Sequence, residues 1–416
     1  MEQNFKEDKN EMSELWGIQR FFDTTREEGF YHNVLVSTKP VGPTISYGHE
    51  EFTNFASINI LDLHEEADVL AYFHEAADRY GLTTGGSRVT QGIGAPHRDL
   101  EEELCRVTGK EKAISFASGL LANIGFINAM SAKFSFSSSC YIDNSDAVFI
   151  LDRDCHWSLW KGASHLRFGR QLFYFQHNDP QDLEKVLARL SQKHKKMVVI
   201  FESVYSADGS IAPMKEIFDV CEAHHAITYV DDANGFLIYG PSSRKFAAEF
   251  SQMQRATFVM VSFSKSVGLE GGAVAGPANA ITTFEVLSGT SLFTAAIQPP
   301  TASTNAYIMR KLEHHPEIMD SYLQRSLELR HRLEAHHFHL NPDPSYIISV
   351  YIGSEDTAVH VYEDFLKAHM IVPMFRYPAV KPGNALIRIM LNAHHTQEQV
   401  DRLVELLVEL KEKYKF

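Results

Sequence analysis

Cysteine is scarce in this chain: Cys105, Cys140, Cys155 and Cys221 stand far apart, with no CxxC pair among 416 residues. That spacing argues against a zinc site and against a disulfide framework, and it fits a reducing cytoplasmic compartment. Long basic runs are also missing. With a formal net charge of -14, the chain offers a phosphate backbone no continuous cationic face, which excludes nucleic-acid binding as its main role. No apolar run approaches the roughly 20 residues that span a bilayer. Met1 to Met12 is polar and charged rather than an apolar leader. Neither an internal repeat nor a low-complexity linker is visible.

What is present reads as a soluble enzyme. Apolar residues make up 44% and charged residues 22%, and the length calls for two or three lobes around a large interior. Residues 1–60 mix aromatics (Trp16, Phe21, Phe22, Phe30, Tyr31) with polar residues and read as an arm that packs on something else, a second subunit being one candidate. Phe55 to Leu61 is a strand candidate, and Glu65 to Tyr80 has helical spacing. The glycines of Gly81 to Arg88 mark a loop, and Leu100 to Val107 reads as a helix.

Ala113 to Phe116 reads as a strand that turns through Ala117-Ser118-Gly119-Leu120 into a helix. Such a turn offers free backbone N–H groups at a positive helix end, a seat for phosphate; a plain serine-capped helix start has the same sequence. Strand and helix then alternate, with strands at Ala147 to Leu151, Met197 to Phe201, Ile227 to Val230 and Thr257 to Ser262. This predicts an α/β fold: a large, mainly parallel sheet covered by helices over 61–295. Three strands run into polar groups, at Asp152 and His156, at Glu202, Ser203 and Ser206, and at Asp231 and Asp232. Ligands of open α/β sheets bind at such carboxyl ends. After Gly289 the pattern changes, and 296–416 reads as a smaller α+β domain closed by an amphipathic helix from Thr396 to Lys413.

One stretch suggests chemistry. Lys265, within Val261-Ser262-Phe263-Ser264-Lys265-Ser266 and ahead of Glu270-Gly271-Gly272, is an amine among apolar and hydroxyl neighbours. There it can lose its proton and form a Schiff base. In chain order Lys265 shares the sequence with Gly86-Ser87-Arg88, His97 and Leu100-Glu101; Phe116 to Gly119 with Ala122-Asn123; His156 with Ser158; Glu202 with Ser206 and Asp208-Gly209; Val230 to Ala233; and Tyr377 to Val380 with Arg388. Together these pieces resemble the α-oxoamine synthases, pyridoxal-phosphate enzymes of fold type I, over nearly the whole length.

The resemblance implies pyridoxal 5'-phosphate as cofactor and no metal. It assigns Lys265 to holding the cofactor, Asp231 to the pyridine nitrogen and His156 to the ring face, the three catalytic positions. Ser118, Gly119, Leu120 and Ser262 match the phosphate seat, with Thr294 offered by a neighbouring subunit of a homodimer. Ser206 and Asn234 match the positions beside the ring oxygen, Glu202 an acidic group near the substrates, and Arg388 the grip on the amino-acid carboxylate. The implied reaction is decarboxylating condensation of a small amino acid with an acyl thioester, from acyl-CoA or an acyl carrier protein, giving an α-amino ketone. Aldol cleavage or transamination on the same fold, and a non-catalytic scaffold subunit, are the alternatives. Asp154 to Gly162 and Ser203 to Ser206 are most similar to the autoinducer-synthase branch, which makes signals from medium-chain acyl-CoA.

Two departures stand out. Asn234 replaces a common family histidine, so it can hydrogen-bond but not exchange a proton. Ser57-Ile58-Asn59-Ile60 differs from the family pattern near the acyl-CoA opening, which makes Asn59 a substrate-side candidate. With the Ser/Phe-rich insertion at 131–145, read as a loop or small lid, this implies an altered acyl pocket.

Overall fold

The computed structural model describes residues 13–27 and 36–416. Phe30, Tyr31 and the segment Met1 to Met12 lie outside the described residues. At the centre is a seven-stranded sheet in the spatial order Lys112–Phe116, Gly272–Gly276, Phe258–Ser262, Ile227–Asp231, Met197–Glu202, Val148–Asp152, Leu172–Phe175. Six of these strands run in one direction, and only Gly272–Gly276 is reversed, pairing antiparallel to both of its neighbours.

Both faces of the sheet are covered, which is why its strands read as continuous apolar runs. Val148, Ile150, Val199 and Phe201 face one core with Leu100, Leu183 and Phe218. The alternate residues Phe149, Leu151, Val198 and Ile200 face the other, with Phe126, Leu159 and Phe284. Two of the seven strands, Leu172–Phe175 and Gly272–Gly276, were not expected from the sequence.

The C-terminal part begins with helices Pro299–His314 and Pro316–Ala335. A three-stranded sheet follows, in the order Ile348–Gly353, Ala385–Ile389, Met374–Phe375, with helix Glu355–Lys367 beside it. The last helix, Gln397–Tyr414, starts at a capping box between Thr396 and Gln399. No helix among the described residues is long and apolar enough to cross a membrane.

At the N-terminal end, helix Ile18–Glu27 buries none of its residues. The hairpin Thr44–Tyr47/Glu50–Asn54 pairs parallel with Met370–Ile371, so this segment is stitched to the C-terminal part of its own chain. Phe55 to Leu61 is not a strand. The strand stops at Asn54, whose Oδ1 accepts from Ala56 N at 3.1 Å, and Ser57 Oγ accepts from Asn59 N at 3.2 Å. These local side-chain turns compete with a ladder.

The 131–145 insertion is a two-stranded ribbon, Lys133–Ser135 with Tyr141–Asp143. Asp143 O accepts from Lys196 Nζ at 2.7 Å, and Lys196 O from Val148 N at 2.8 Å, so the ribbon stands at the amino ends of the parallel strands. The expected lid over an acyl pocket is therefore corrected: the site described below lies at the opposite, carboxyl edge.

Candidate active site

Helix Gly119–Met130 starts where strand Lys112–Phe116 ends, and Ser118 caps it by accepting from Leu121 N at 3.3 Å. The N–H groups of Gly119 and Leu120 belong to the first turn and have no acceptor within the helix. Strand Gly272–Gly276 presses against this turn. A Cβ on Gly272 would come within 2.6 Å of Gly119 N, and a Cβ on Gly119 within 3.2 Å of Ser262 Cβ. Glycine at these two positions keeps the helix end open and places the Ser262 hydroxyl beside it, where it shares a hydrogen bond of 3.0 Å with Ser264.

In front of that helix end lies a cavity of about 290 Å³. It gathers ten of the predicted residues: Ser118, Gly119, Leu120, His156, Glu202, Ser206, Asp231, Asn234, Ser262 and Lys265. They come from strand ends and from loops far apart in sequence, as a carboxyl-edge crevice requires. Neighbouring strand-end acids are used elsewhere. Asp152 pairs with His177 at 3.1 Å, and Asp232 accepts from Ser203 Oγ at 2.6 Å.

Three predicted residues stand off the cavity wall. Asn59 packs against Gly268, whose Cβ would meet its Oδ1 at 2.5 Å, and its amide nitrogen reaches His64 Nδ1 at 2.6 Å. Thr294 lines a separate small hollow with Arg88, Ser115 and Phe116. Arg388 donates from Nη1 to Ser206 O at 2.5 Å, and its guanidinium lies 4.8 Å over the Phe375 ring. Its Nε is buried without a partner, and its charge acts on Lys265.

The electrostatics ease deprotonation of Lys265. Burial, then the Arg388 charge, bring the Lys265 amine down to about 8, against the pull of Asp231 and Glu202. Burial raises the Asp231 carboxyl, opposed first by a hydrogen bond from Asn123 and then by His156. Glu202 accepts from His156 N at 2.5 Å, yet burial and then the Asp231 charge push it well above the ordinary carboxylate range. Burial lowers His156. The cavity thus holds an amine that deprotonates readily, one carboxylate supported by hydrogen bonds, and one carboxyl that tends to keep its proton.

Asn123 and Tyr229 carry roles that the sequence reading did not assign, and Ser158 appeared there only as part of a motif. Asn123 donates to Asp231 Oδ2 and to Ser158 Oγ, both at 2.8 Å, and accepts from Tyr229 OH at 2.7 Å. The available signal was an amide one turn inside a mostly apolar helix, since a buried amide needs partners. Of the remaining motif pieces, Arg88 Nη1 binds Glu101 Oε1 at 2.8 Å, and His97 Nε2 lies 2.7 Å from Ile297 O. Both brace loops around the site.

The family model for aminotransferase class I and II matches residues 50–407. 5-Aminolevulinate synthase 2 of Cereibacter sphaeroides is 30% identical over 399 residues, covering 94% of this chain and 95% of its own. 8-Amino-7-oxononanoate synthase of Alcanivorax borkumensis is 30% identical over 384 residues, covering 92% and 95%. Among solved structures, serine palmitoyltransferase from S. paucimobilis with PLP and myriocin bound superposes with a TM-score of 0.86 at 26% identity, over 97% of this chain and 99% of that one.

Proposed function

The chain belongs to the aminotransferase class I and II family and, within it, to the α-oxoamine synthases, and on that footing we propose that it condenses a small amino acid with an acyl thioester, releasing carbon dioxide and an α-amino ketone. Members of this group are pyridoxal-phosphate-dependent transferases. The cavity's donor set fits that cofactor. An open helix end with the Ser118 and Ser262 hydroxyls suits a phosphate dianion, a buried carboxylate at Asp231 suits a pyridinium, and Lys265 lines the same cavity.

When bound, pyridoxal phosphate supplies an electron sink that stabilises charge at the amino acid's α-carbon. The protein's own residues do the rest. Lys265 Nζ would hold the cofactor and, as a neutral amine, would take the α-proton. Asp231 would balance a positive charge on the ring nitrogen. His156, Ser206 and Asn234, which line the same cavity, would help hold the ring. Asn234 spends an amide proton on Val204 O at 3.2 Å and serves in orientation only. Glu202, which tends to stay protonated, is suited to donate to a substrate oxygen. Arg388, with one nitrogen already anchored on Ser206 O, offers the remainder of its fork to the substrate carboxylate.

The single observation behind this reading is that one cavity brings Lys265, Asp231 and a free helix end together, where burial and then the Arg388 charge bring the amine down to about 8. Thr294 is absent from the wall of its own chain's cavity, and Phe293 beside it is 84% exposed. This supports a homodimer in which Thr294 reaches a neighbour's site. Borohydride reduction of the holoenzyme followed by peptide mass spectrometry should add the cofactor's mass at Lys265, and Lys265→Ala should remove that label. A matrix of amino acids against acyl-CoAs, monitored for free thiol and for the ketone, tests the reaction. Turnover without thiol release would replace condensation with aldol cleavage or transamination.

A further inference from the structure

Helix Gly119–Met130 presents its first turn to the phosphate end of the cavity, and one turn later it carries Asn123, which is 1% exposed. Both N–H donors and the carbonyl oxygen of this amide are engaged. One Nδ2 proton goes to Asp231 Oδ2 and the other to Ser158 Oγ, each at 2.8 Å. Oδ1 accepts from Tyr229 OH at 2.7 Å. The Tyr229 ring is itself fixed, fully buried and stacked on Phe126 at 3.8 Å between centroids. Because the Asp231 carboxylate can only accept, the amide nitrogen must face it, and the oxygen is left to Tyr229 OH, so the amide has a single orientation.

That orientation has a consequence for His156. Ser158 Oγ accepts a hydrogen bond from Asn123 Nδ2 and lies 2.7 Å from His156 Nδ1. The Ser158 N–H points at the same nitrogen, at 3.3 Å. Nδ1 is therefore an acceptor, and the ring proton sits on Nε2. One amide thus holds the carboxylate at one edge of the cavity and, through a serine, sets the tautomer of the imidazole.

We propose that Asn123 is the positioning residue of this site, locking Asp231 in place against the cofactor's ring nitrogen and His156 in its neutral Nε2–H form. The inference rests on the assignment of Asp231 and His156 given under the proposed function. The groups facing Asp231 are His156, Lys265, Glu202, Asp232, Cys155 and Tyr229. None of these supplies the proton that Asn123 places on Asp231 Oδ2.

The test is the dissociation constant of pyridoxal phosphate, measured on the full-length protein from pH 6 to 9. Asn123→Asp exchanges the donor for a second carboxylate against Asp231. Loss of a hydrogen bond to a charged group should weaken binding roughly 10- to 100-fold at pH 8. Affinity should recover toward wild type as pH falls and the two carboxylates share a proton, which restores a donor. Asn123→Leu should be weakened at every pH. A purely structural role would give Asn123→Asp no such pH-dependent rescue.

Tyr229→Phe removes only the pin on the amide and should weaken binding by a few-fold with the melting temperature of the apo protein little changed. Affinity of Asn123→Asp within twofold of wild type at pH 8, or weakening of equal size at all pH values, overturns the proposal. Should Asn123→Asp fail to fold, an unchanged affinity in Tyr229→Phe overturns it instead. If the wild-type protein bound no pyridoxal phosphate at all, the assignment of the site itself would fall.

Discussion

Lys265 is the group on which a quantitative test bears most directly. Its amine falls from the ordinary 10.5 to about 8, with burial the first cause and the Arg388 charge the second. At pH 7.4 a pKa of 8 leaves about 20% of the amine neutral, against less than about 0.1% for an unperturbed lysine. The difference favours the neutral form by roughly 3 kcal/mol. Arg388→Met removes a neighbouring cation, so charging Lys265 becomes easier and its pKa must rise, while burial still keeps it below 10.5. Arg388→Lys keeps the charge and should leave the pKa close to wild type. Both variants lose the planar fork, so the KM for the amino acid should rise roughly 10- to 100-fold in each. Competitive acetylation of the apo protein across pH, read peptide by peptide, gives the midpoint for Lys265. A wild-type midpoint near 10.5, or one that stays put or falls in Arg388→Met, refutes the electrostatic account. A KM that rises in Arg388→Met but not in Arg388→Lys would show that charge alone, rather than fork geometry, holds the carboxylate.

Lys265→Met should raise the melting temperature of the apo protein at pH 7. The folded state binds fewer protons than the unfolded state between pH 8 and 10.5, so the lysine's cost is fully present below 8, and the gap to Lys265→Met should narrow as pH rises through that window. Gly272→Ala would set a Cβ 2.6 Å from Gly119 N, where only backbone can move. It should cost roughly 1–3 kcal/mol in chemical denaturation and reduce cofactor retention on gel filtration. Phe134→Ser with Phe136→Ser, on the exposed ribbon at the amino edge of the sheet, should leave kcat/KM and acyl-chain preference unchanged; a changed chain-length profile would restore the lid reading.

The sheet was legible wherever strands are buried on both faces, because Val148 to Leu151 and Val198 to Phe201 then have to be apolar throughout. Gly272–Gly276 escaped notice because Gly-Ala-Val-Ala-Gly has little strand propensity. It is a strand because two neighbours offer it ladders on both sides and because the Ser118–Gly119 turn leaves no room for larger residues. Phe55 to Leu61 failed in the opposite way. Its aromatic and β-branched residues suit a strand, but Asn54 and Ser57 bond to nearby backbone and end the ladder first.

The site follows the same division. Groups that would meet the cofactor sit at strand ends and at a helix start, where chain direction fixes which way they point, and a polar residue after an apolar run announces them. Asn123, Tyr229 and Ser158 act between elements, so their roles depend on which helix crosses which strand, and that is a tertiary fact. The same holds for the 131–145 insertion. Its phenylalanines look like an acyl wall in sequence, but the insertion follows a 12-residue helix that starts at the site, and at 1.5 Å per residue that helix carries the chain about 18 Å away. If the proposed function holds, the acyl chain is to be sought near Leu120 and Trp157, exposed apolar side chains in the first turns of two helices that start at the carboxyl edge.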